Sequence, residues 1–220
     1  MMEWMMTLKG IIFDMDGVLF DTETFYYERR ERFLNEKGIS IKHLPPSFFI
    51  GGNMKQVWQN ILRDDYEKWD ISALQEGYNQ YKKDHPLPYK DLIFSDVKEC
   101  LEMLKKEGYV FGLASSSVKA DILRALREND LEDYFQVILS GEEFEESKPN
   151  PAIYLEAARQ LNLEKSELLI IEDSEKGIQA GVSAGIEVWG IKDQKFGMDQ
   201  SKASQLFLSL DDICQHILEK

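Results

Sequence analysis

Ile11-Ile12-Phe13-Asp14-Met15-Asp16-Gly17-Val18-Leu19-Phe20-Asp21 is the stretch that decides the fold. An apolar run ends in two acids one residue apart, followed by Gly and a third acid. Along a strand, residues i and i+2 face the same way, so Asp14 and Asp16 can be set together at one edge of a sheet. That placement suits a hard cation such as Mg2+, held by one or two carboxylates beside a substrate phosphate. It equally suits an Asp nucleophile with a second acid beside it.

Working outward, similar apolar runs recur at Gly10–Asp14, Val110–Ala114, Phe135–Leu139, Leu168–Ile171 and Glu187–Ile191, with a weaker one at Gln205–Leu210. They are apolar on consecutive residues, as strands covered on both faces require. Helical patterns separate them. Val97, Cys100, Leu101 and Leu104 follow the i, i+3, i+4, i+7 spacing, and Gly108 closes that helix. Val118, Ile122, Ala125 and Leu126 mark the next, and Asn150-Pro151 opens another. The alternation implies a doubly wound, Rossmann-like α/β core with a parallel sheet. From about Thr22 to Leu92 it stops. Phe25–Lys37, the stripe Met54, Val57, Trp58, Ile61, Leu62, and Ala73–Lys83 all read as helix. The expected organisation is a core of residues 1–21 and 93–220 with a helical cap domain, 22–92, inserted after the first strand. Its connections fall near Phe20–Glu23 and Lys90–Ser95, and two such crossings are what a hinged lid needs.

With 220 residues the chain can bury a core unaided. Its net charge of -14 disfavours nucleic acid and anionic lipid as partners. It also means that a phosphate site has to supply local positive charge. No apolar run reaches the length of a membrane span, and the start, Met1–Met6, lacks the basic region of a secretory signal. Cys100 and Cys214, isolated in apolar helical patterns, read as core packing in a reducing cytoplasm rather than as a disulfide or zinc site.

Three further features each follow a strand, at the edge where open α/β sheets bind ligands. Ser115-Ser116-Ser117 precedes a helix and can hold an anion or simply cap the helix. Lys148 sits beyond a run of Glu residues and can hold an anionic intermediate or lie solvated. Glu172-Asp173-Ser174 closes an apolar strand, where adjacent carboxylates are costly unless paired or metal-bound.

In combination, Asp14-x-Asp16-Gly-Val-Leu-Phe-Asp21-Thr-Glu, Leu-Ala-Ser115, Ser-Lys148-Pro149-Asn-Pro and Ile-Glu172-Asp173-Ser-Glu-Lys-Gly-Ile-Gln-Ala-Gly resemble the four motifs of the haloacid dehalogenase-like superfamily. The resemblance covers nearly the whole chain and is nearest the β-phosphoglucomutase and small-phosphatase branch, which carries a helical cap. It implies phosphoryl transfer through an aspartyl phosphate, with Mg2+ as cofactor. Asp14 would be the nucleophile and Asp16 the general acid/base. Ser115 would bind phosphoryl oxygens, and Lys148 would stabilise charge on Asp14 and the phosphate. The metal would be held by Asp14, the Asp16 carbonyl and Asp173, with Glu172 beside it. Gly17, Ser116, Thr22 and Glu23 would lie against substrate. The mutases' hinge His falls on Tyr26 here. Aligning Gly51 and Leu62 with their cap helix puts their phosphate-binding Arg on Met54; Lys82, Lys83 and His85 are the alternative sources of cap charge. A thioether cannot replace an Arg fork on phosphate. The expected activity is therefore hydrolysis of a small phosphorylated metabolite by a cytoplasmic monomer. The alternative is a β-phosphoglucomutase interconverting β-glucose 1-phosphate and glucose 6-phosphate. A receiver-like phospho-switch fits the helical insert and Asp16 less well, and a dehalogenase lacks the Asp16 pairing and needs no Mg2+.

Overall fold

A computed structural model describes residues 7–50 and 54–219, with the side chains of 54–56 excepted. Met1–Met6, Gly51 and the side chains of Met54 and Lys55 lie outside the described residues, and with them the cap alignment on Met54.

The strands are β1 (Gly10–Phe13), β2 (Val110–Ser115), β3 (Phe135–Ser140), β4 (Leu168–Glu172), β5 (Glu187–Ile191) and β6 (Gln205–Phe207). They form one parallel sheet in the order β3-β2-β1-β4-β5-β6. The consecutive apolar residues divide between its faces. Ile11, Phe13, Phe111, Leu113, Leu169 and Ile171 enter one cluster, and Ile12, Ala114, Leu168 and Ile170 enter the other. A strand period of two thus buries both faces at once. The strand order reverses beside β1, the place where open α/β sheets open a crevice for ligands.

The described helices are α1 (Glu23–Glu36), α2 (Met54–Leu62), α3 (Ile71–Asp84), a short α4 (Tyr89–Leu92), α5 (Val97–Lys106), α6 (Lys119–Glu128), α7 (Ala152–Leu161), α8 (Glu175–Ala184) and α9 (Leu210–Leu218). Val97, Cys100, Leu101 and Leu104 of α5 pack on the first sheet face with Ile213, Cys214 and Ile217 of α9, so both cysteines are buried, free and apolar in setting. Two boundaries differ from expectation. The Gln205–Leu210 run is strand only to Phe207, because Ser209 accepts the Asp212 N–H at 3.1 Å and starts α9. Asn150 accepts the Ala152 N–H at 2.9 Å, and regular helix begins at Ala152.

Between β1 and α5 the described chain is helical and has its own apolar cluster, built on Phe33, Leu34, Val57, Trp58, Ile61, Leu62, Leu74 and Tyr78. Its two connections are tied together. Asp21 N–H donates to Leu92 O at 2.8 Å, and Phe94 N–H to Leu19 O at 3.1 Å.

Candidate active site

Asp14 leaves the end of β1 with its N–H on Ile171 O at 2.9 Å, which fixes it beside β4. Lys148 reaches the same edge. Its Nζ donates to Asp14 Oδ1 at 2.5 Å, Glu172 Oε1 at 2.7 Å and Ala114 O at 2.9 Å, with the side chain 2% exposed. The loop carrying it is pinned by the sequence: an otherwise acidic loop places its cation where two carboxylates wait. Burial works against the Lys148 charge, but the Asp14 and Glu172 charges overcome it and push its pKa up, so it stays cationic.

Glu172, the last residue of β4, has no solvent exposure. Its Oε1 also accepts the Tyr154 hydroxyl at 2.7 Å. Its Oε2 accepts Asp173 N–H, Ser174 N–H and the Ser174 hydroxyl at 3.0 to 3.1 Å. Burial works against its charge, yet Lys148 and these donors hold it below the usual carboxylate range. Asp14 is the opposite case. Burial pushes it up to about 8, with Lys148 opposing and the Glu172 and Asp16 charges adding to the rise. Asp173 is raised well above its ordinary value by burial and then by Glu172, Glu23 and Asp14.

Asp16 sits in a net of hydroxyls. Oδ1 accepts Thr22 Oγ1 at 2.6 Å; Oδ2 accepts Ser117 Oγ at 2.7 Å and Ser115 Oγ at 3.4 Å. Tyr26 Oη lies 3.3 Å from Ser117 Oγ and 3.4 Å from Tyr89 Oη. Burial raises the Asp16 pKa, with Thr22 and Ser117 pulling against it. Hydroxyls both donate and accept, so the net serves either protonation state of Asp16.

The cation the motifs imply can be tested against these residues. Asp14, Glu172 and Asp173 offer oxygens within 4.8 Å of one another. Glu172 has given its oxygens to protein donors, whereas Asp14 Oδ2 and the Asp173 carboxylate receive none among the described residues. Gly17 makes room beside them. Its φ is +81°, and a Cβ there would lie 2.0 Å from Asp173 Oδ2. Buried, donor-free, hard carboxylate oxygens suit a divalent cation of the Mg2+ kind.

A cavity of about 610 Å3 opens over this edge. Asp14, Asp16, Glu23, Ser116, Lys148 and Asp173 line it. Thr22 and Ser115 are fully buried and turn to Asp16, so neither faces the cavity as a substrate contact would. Their hydroxyls settle on the Asp16 carboxylate, which no short-range pattern announces. Three participants escaped the sequence reading. Ser117 lay within the Ser115–Ser117 run but was not separated from it. Tyr154 and Tyr89 carry no local signal; only the fold brings them to Glu172 and Tyr26.

Residues 11–191 match the haloacid dehalogenase-like hydrolase family. The chain belongs to that family. It is 32% identical over 187 residues to a phosphorylated carbohydrates phosphatase of Thermotoga maritima, covering 84% of this chain and 85% of the relative. It is 26% identical over 221 residues to a phosphoglycolate phosphatase of Aquifex aeolicus, covering 96% and 100%. The β-phosphoglucomutase of Clostridium difficile superposes with a TM-score of 0.81 at 24% identity, covering 96% of each chain, which is a likeness of fold. This haloacid dehalogenase-like chain is accordingly an enzyme, of the phosphatase or closely related phosphoglucomutase type.

Proposed function

We propose that the enzyme is a Mg2+-dependent phosphomonoesterase that hydrolyses a small phosphorylated metabolite, such as a sugar phosphate, through an aspartyl phosphate on Asp14. The observation that carries the reading is the Lys148 ammonium clamped between Asp14 Oδ1 and Glu172. It orients one oxygen of Asp14 and leaves Oδ2 without a donor among the described residues, as a nucleophile aimed at phosphorus needs. Attack by Asp14 forms the new O–P bond as the ester O–P bond breaks. Asp16, whose protonated form burial favours, gives its proton to the departing oxygen. In the second half Asp16 takes a proton from water as that water attacks phosphorus, and inorganic phosphate leaves with Asp14 regenerated. Lys148 offsets charge on Asp14 and the transferring group throughout, the part of phosphoryl transfer in which electrostatics dominates. The cation, held by Asp14, Asp173 and the Asp16 carbonyl with Glu172 supporting Lys148, would supply neutralisation of the phosphate charge.

Residues 22–92 form a cap domain on a core of 1–21 and 93–220, in a cytoplasmic monomer. The separate apolar cluster and the paired connections support the cap reading. Hydrolysis is preferred to mutase chemistry because Tyr26, which stands where the mutases have a hinge His, is spent on Ser117 and Tyr89. Feeding β-glucose 1-phosphate with Mg2+ and a bisphosphate primer, and following glucose 6-phosphate and free phosphate together, tests both halves. Free phosphate released in step with substrate loss, abolished by Asp14→Asn, is the expected outcome. Glucose 6-phosphate without phosphate release would make the enzyme a mutase.

A further inference from the structure

Asp173 is aimed without any bond to its side chain. Among the described residues its carboxylate receives no donor, yet one of its oxygens lies within 4.8 Å of oxygens on Asp14 and Glu172. A carboxylate without a side-chain partner takes its direction from its main chain. The Asp173 N–H is held by Glu172 Oε2 at 3.0 Å. The Asp173 carbonyl is held from 27 residues away: Gln200 Nε2 donates to it at 2.5 Å. Both polar atoms of the Asp173 backbone are therefore fixed, one by β4 itself and one by the segment that follows β5.

Gln200 is spent entirely on this position. It is 7% exposed. Its Nε2 also donates to Ile191 O at 2.7 Å, and its Oε1 accepts the Asp193 N–H at 2.8 Å. Two carbonyls can only accept and a backbone N–H can only donate, so the partners dictate which end of the side-chain amide is which. The loop 192–200 that carries Gln200 is braced in turn. Asp193 Oδ1 accepts the Lys195 and Phe196 N–H groups at 2.8 and 2.9 Å, and Oδ2 accepts the Met198 N–H at 2.7 Å. Lys195 Nζ donates to Asp21 Oδ2 at 3.0 Å, which ties the same loop to the acid that closes the first motif. The bonds to Ile191 and Asp193 suffice to close the loop on β5. The bond to Asp173 goes further, because it crosses to the end of β4.

We propose that Gln200 is a positioning residue for the cation: its grip on the Asp173 carbonyl fixes that peptide and with it the direction of the Asp173 carboxylate. The inference rests on the Mg2+ reading of the site given above, and is independent of whether water or a sugar hydroxyl accepts the phosphoryl group. Groups that orient a metal ligand from behind set how much of the cation's binding energy goes into ordering that ligand. With Gln200 in place the ordering is already done. Without it, the peptide after Glu172 is free to turn, and the cation has to gather Asp173 as it binds.

Calorimetric titration of Mg2+ into the substrate-free protein tests this on the native enzyme, Gln200→Met, Asp193→Asn and Gly181→Ala. Met keeps the length of Gln and removes its donors. Gly181→Ala controls for lost stability, since its Cβ would press on Val188 and Ile170 and on neither Asp173 nor the loop. Gln200→Met should raise the Mg2+ dissociation constant roughly 10- to 100-fold, the usual effect of losing such an orienting partner. The Mg2+-induced rise in melting temperature should shrink with it. Asp193→Asn, which loosens the loop and leaves Gln200 in place, should weaken binding in the same direction by less, and it decides the matter if Gln200→Met does not fold. Gly181→Ala should lower the metal-free melting temperature and leave the dissociation constant at its native value. A native dissociation constant in Gln200→Met, or in Asp193→Asn where that variant stands in for it, overturns the positioning role and keeps the Mg2+ reading. An equal rise in Gly181→Ala overturns it as well, because general loosening would then account for the effect. Absence of Mg2+ binding to the native enzyme overturns the cation reading itself, and the role of Gln200 with it.

Discussion

At the scale of single residues, Lys148 carries the greatest responsibility. It holds two carboxylates that share a desolvated edge, and each would repel the other without it. Lys148→Met leaves that repulsion uncompensated. We expect a loss of about 3 to 5 kcal/mol in stability, the usual cost of breaking a buried pair from one side, and a fall of roughly 10^2 to 10^3 in kcat. Urea unfolding and steady-state kinetics on the same preparation check both; a variant with native stability would show that the carboxylates are not held by this ammonium. Ser117 acts through Asp16. Its hydroxyl at 2.7 Å helps to lower the Asp16 pKa against burial. Ser117→Ala should therefore raise that pKa and move the basic limb of the kcat/KM pH profile upward, where loss of the acid's proton limits the rate. A basic limb that stays in place would remove Asp16 from the acid role.

At the scale of elements, close approach between α8 and the sheet positions the acids. Gly177 and Gly181 lie one turn apart on α8. A Cβ at Gly177 would fall 1.7 Å from Glu172 Oε1, and one at Gly181 would fall 2.6 Å from a Val188 methyl. The first substitution reaches the active site from a residue outside the cavity. Gly177→Ala should displace Glu172, loosen Lys148 and lower kcat, while Gly181→Ala should cost stability by overpacking, about 1 to 3 kcal/mol. The contrast in kcat between two matched glycines is the readout, and equal effects would show that α8 acts only as packing. In the insert, Trp58 is 1% exposed and donates to Gln75 Oε1 at 2.9 Å, joining α2 to α3. Its removal empties the centre of a cluster separate from the core of the sheet. Trp58→Ala should cost about 3 to 5 kcal/mol, and limited proteolysis should cut within the insert before the sheet is exposed.

At the scale of the whole molecule, buried acid governs the response to pH. Asp14 and Glu23 are each pushed up to about 8 in the folded state, from ordinary values near 4, chiefly by burial. Between about pH 4.5 and pH 8 the folded chain holds protons that the unfolded chain has released. Stability is greatest at the acid end of that window and falls as pH rises through it. A cation bound at Asp14 displaces the proton there, so Mg2+ should stabilise more at pH 8 than near pH 5. Melting curves in EDTA and in excess Mg2+ across this range test the sign. A metal-free melting temperature that climbed toward pH 8 would contradict it, and Glu23→Gln should flatten the metal-free slope.

The sequence by itself determined the sheet, the interruption after β1 and the acids at the strand ends. Each is written in local runs: consecutive apolar residues for strands covered on both faces, a stripe at helical spacing for α2, and Asp14-x-Asp16 or Glu172-Asp173 where an apolar run stops. Chain-local pattern suffices there because a strand's direction and period place its end residues without reference to the rest of the molecule. What each buried group bonds to was decided only by the tertiary structure. Thr22 and Ser115 turned to Asp16 rather than to the cavity, Tyr154 came to Glu172, and Arg29 came to rest at the cavity wall with no partner for its Nε among the described residues. The physical reason is that a desolvated polar atom takes whichever partner the packed neighbours bring within about 3 Å. For Tyr26 and Ser117 that neighbour is 91 residues away in the chain.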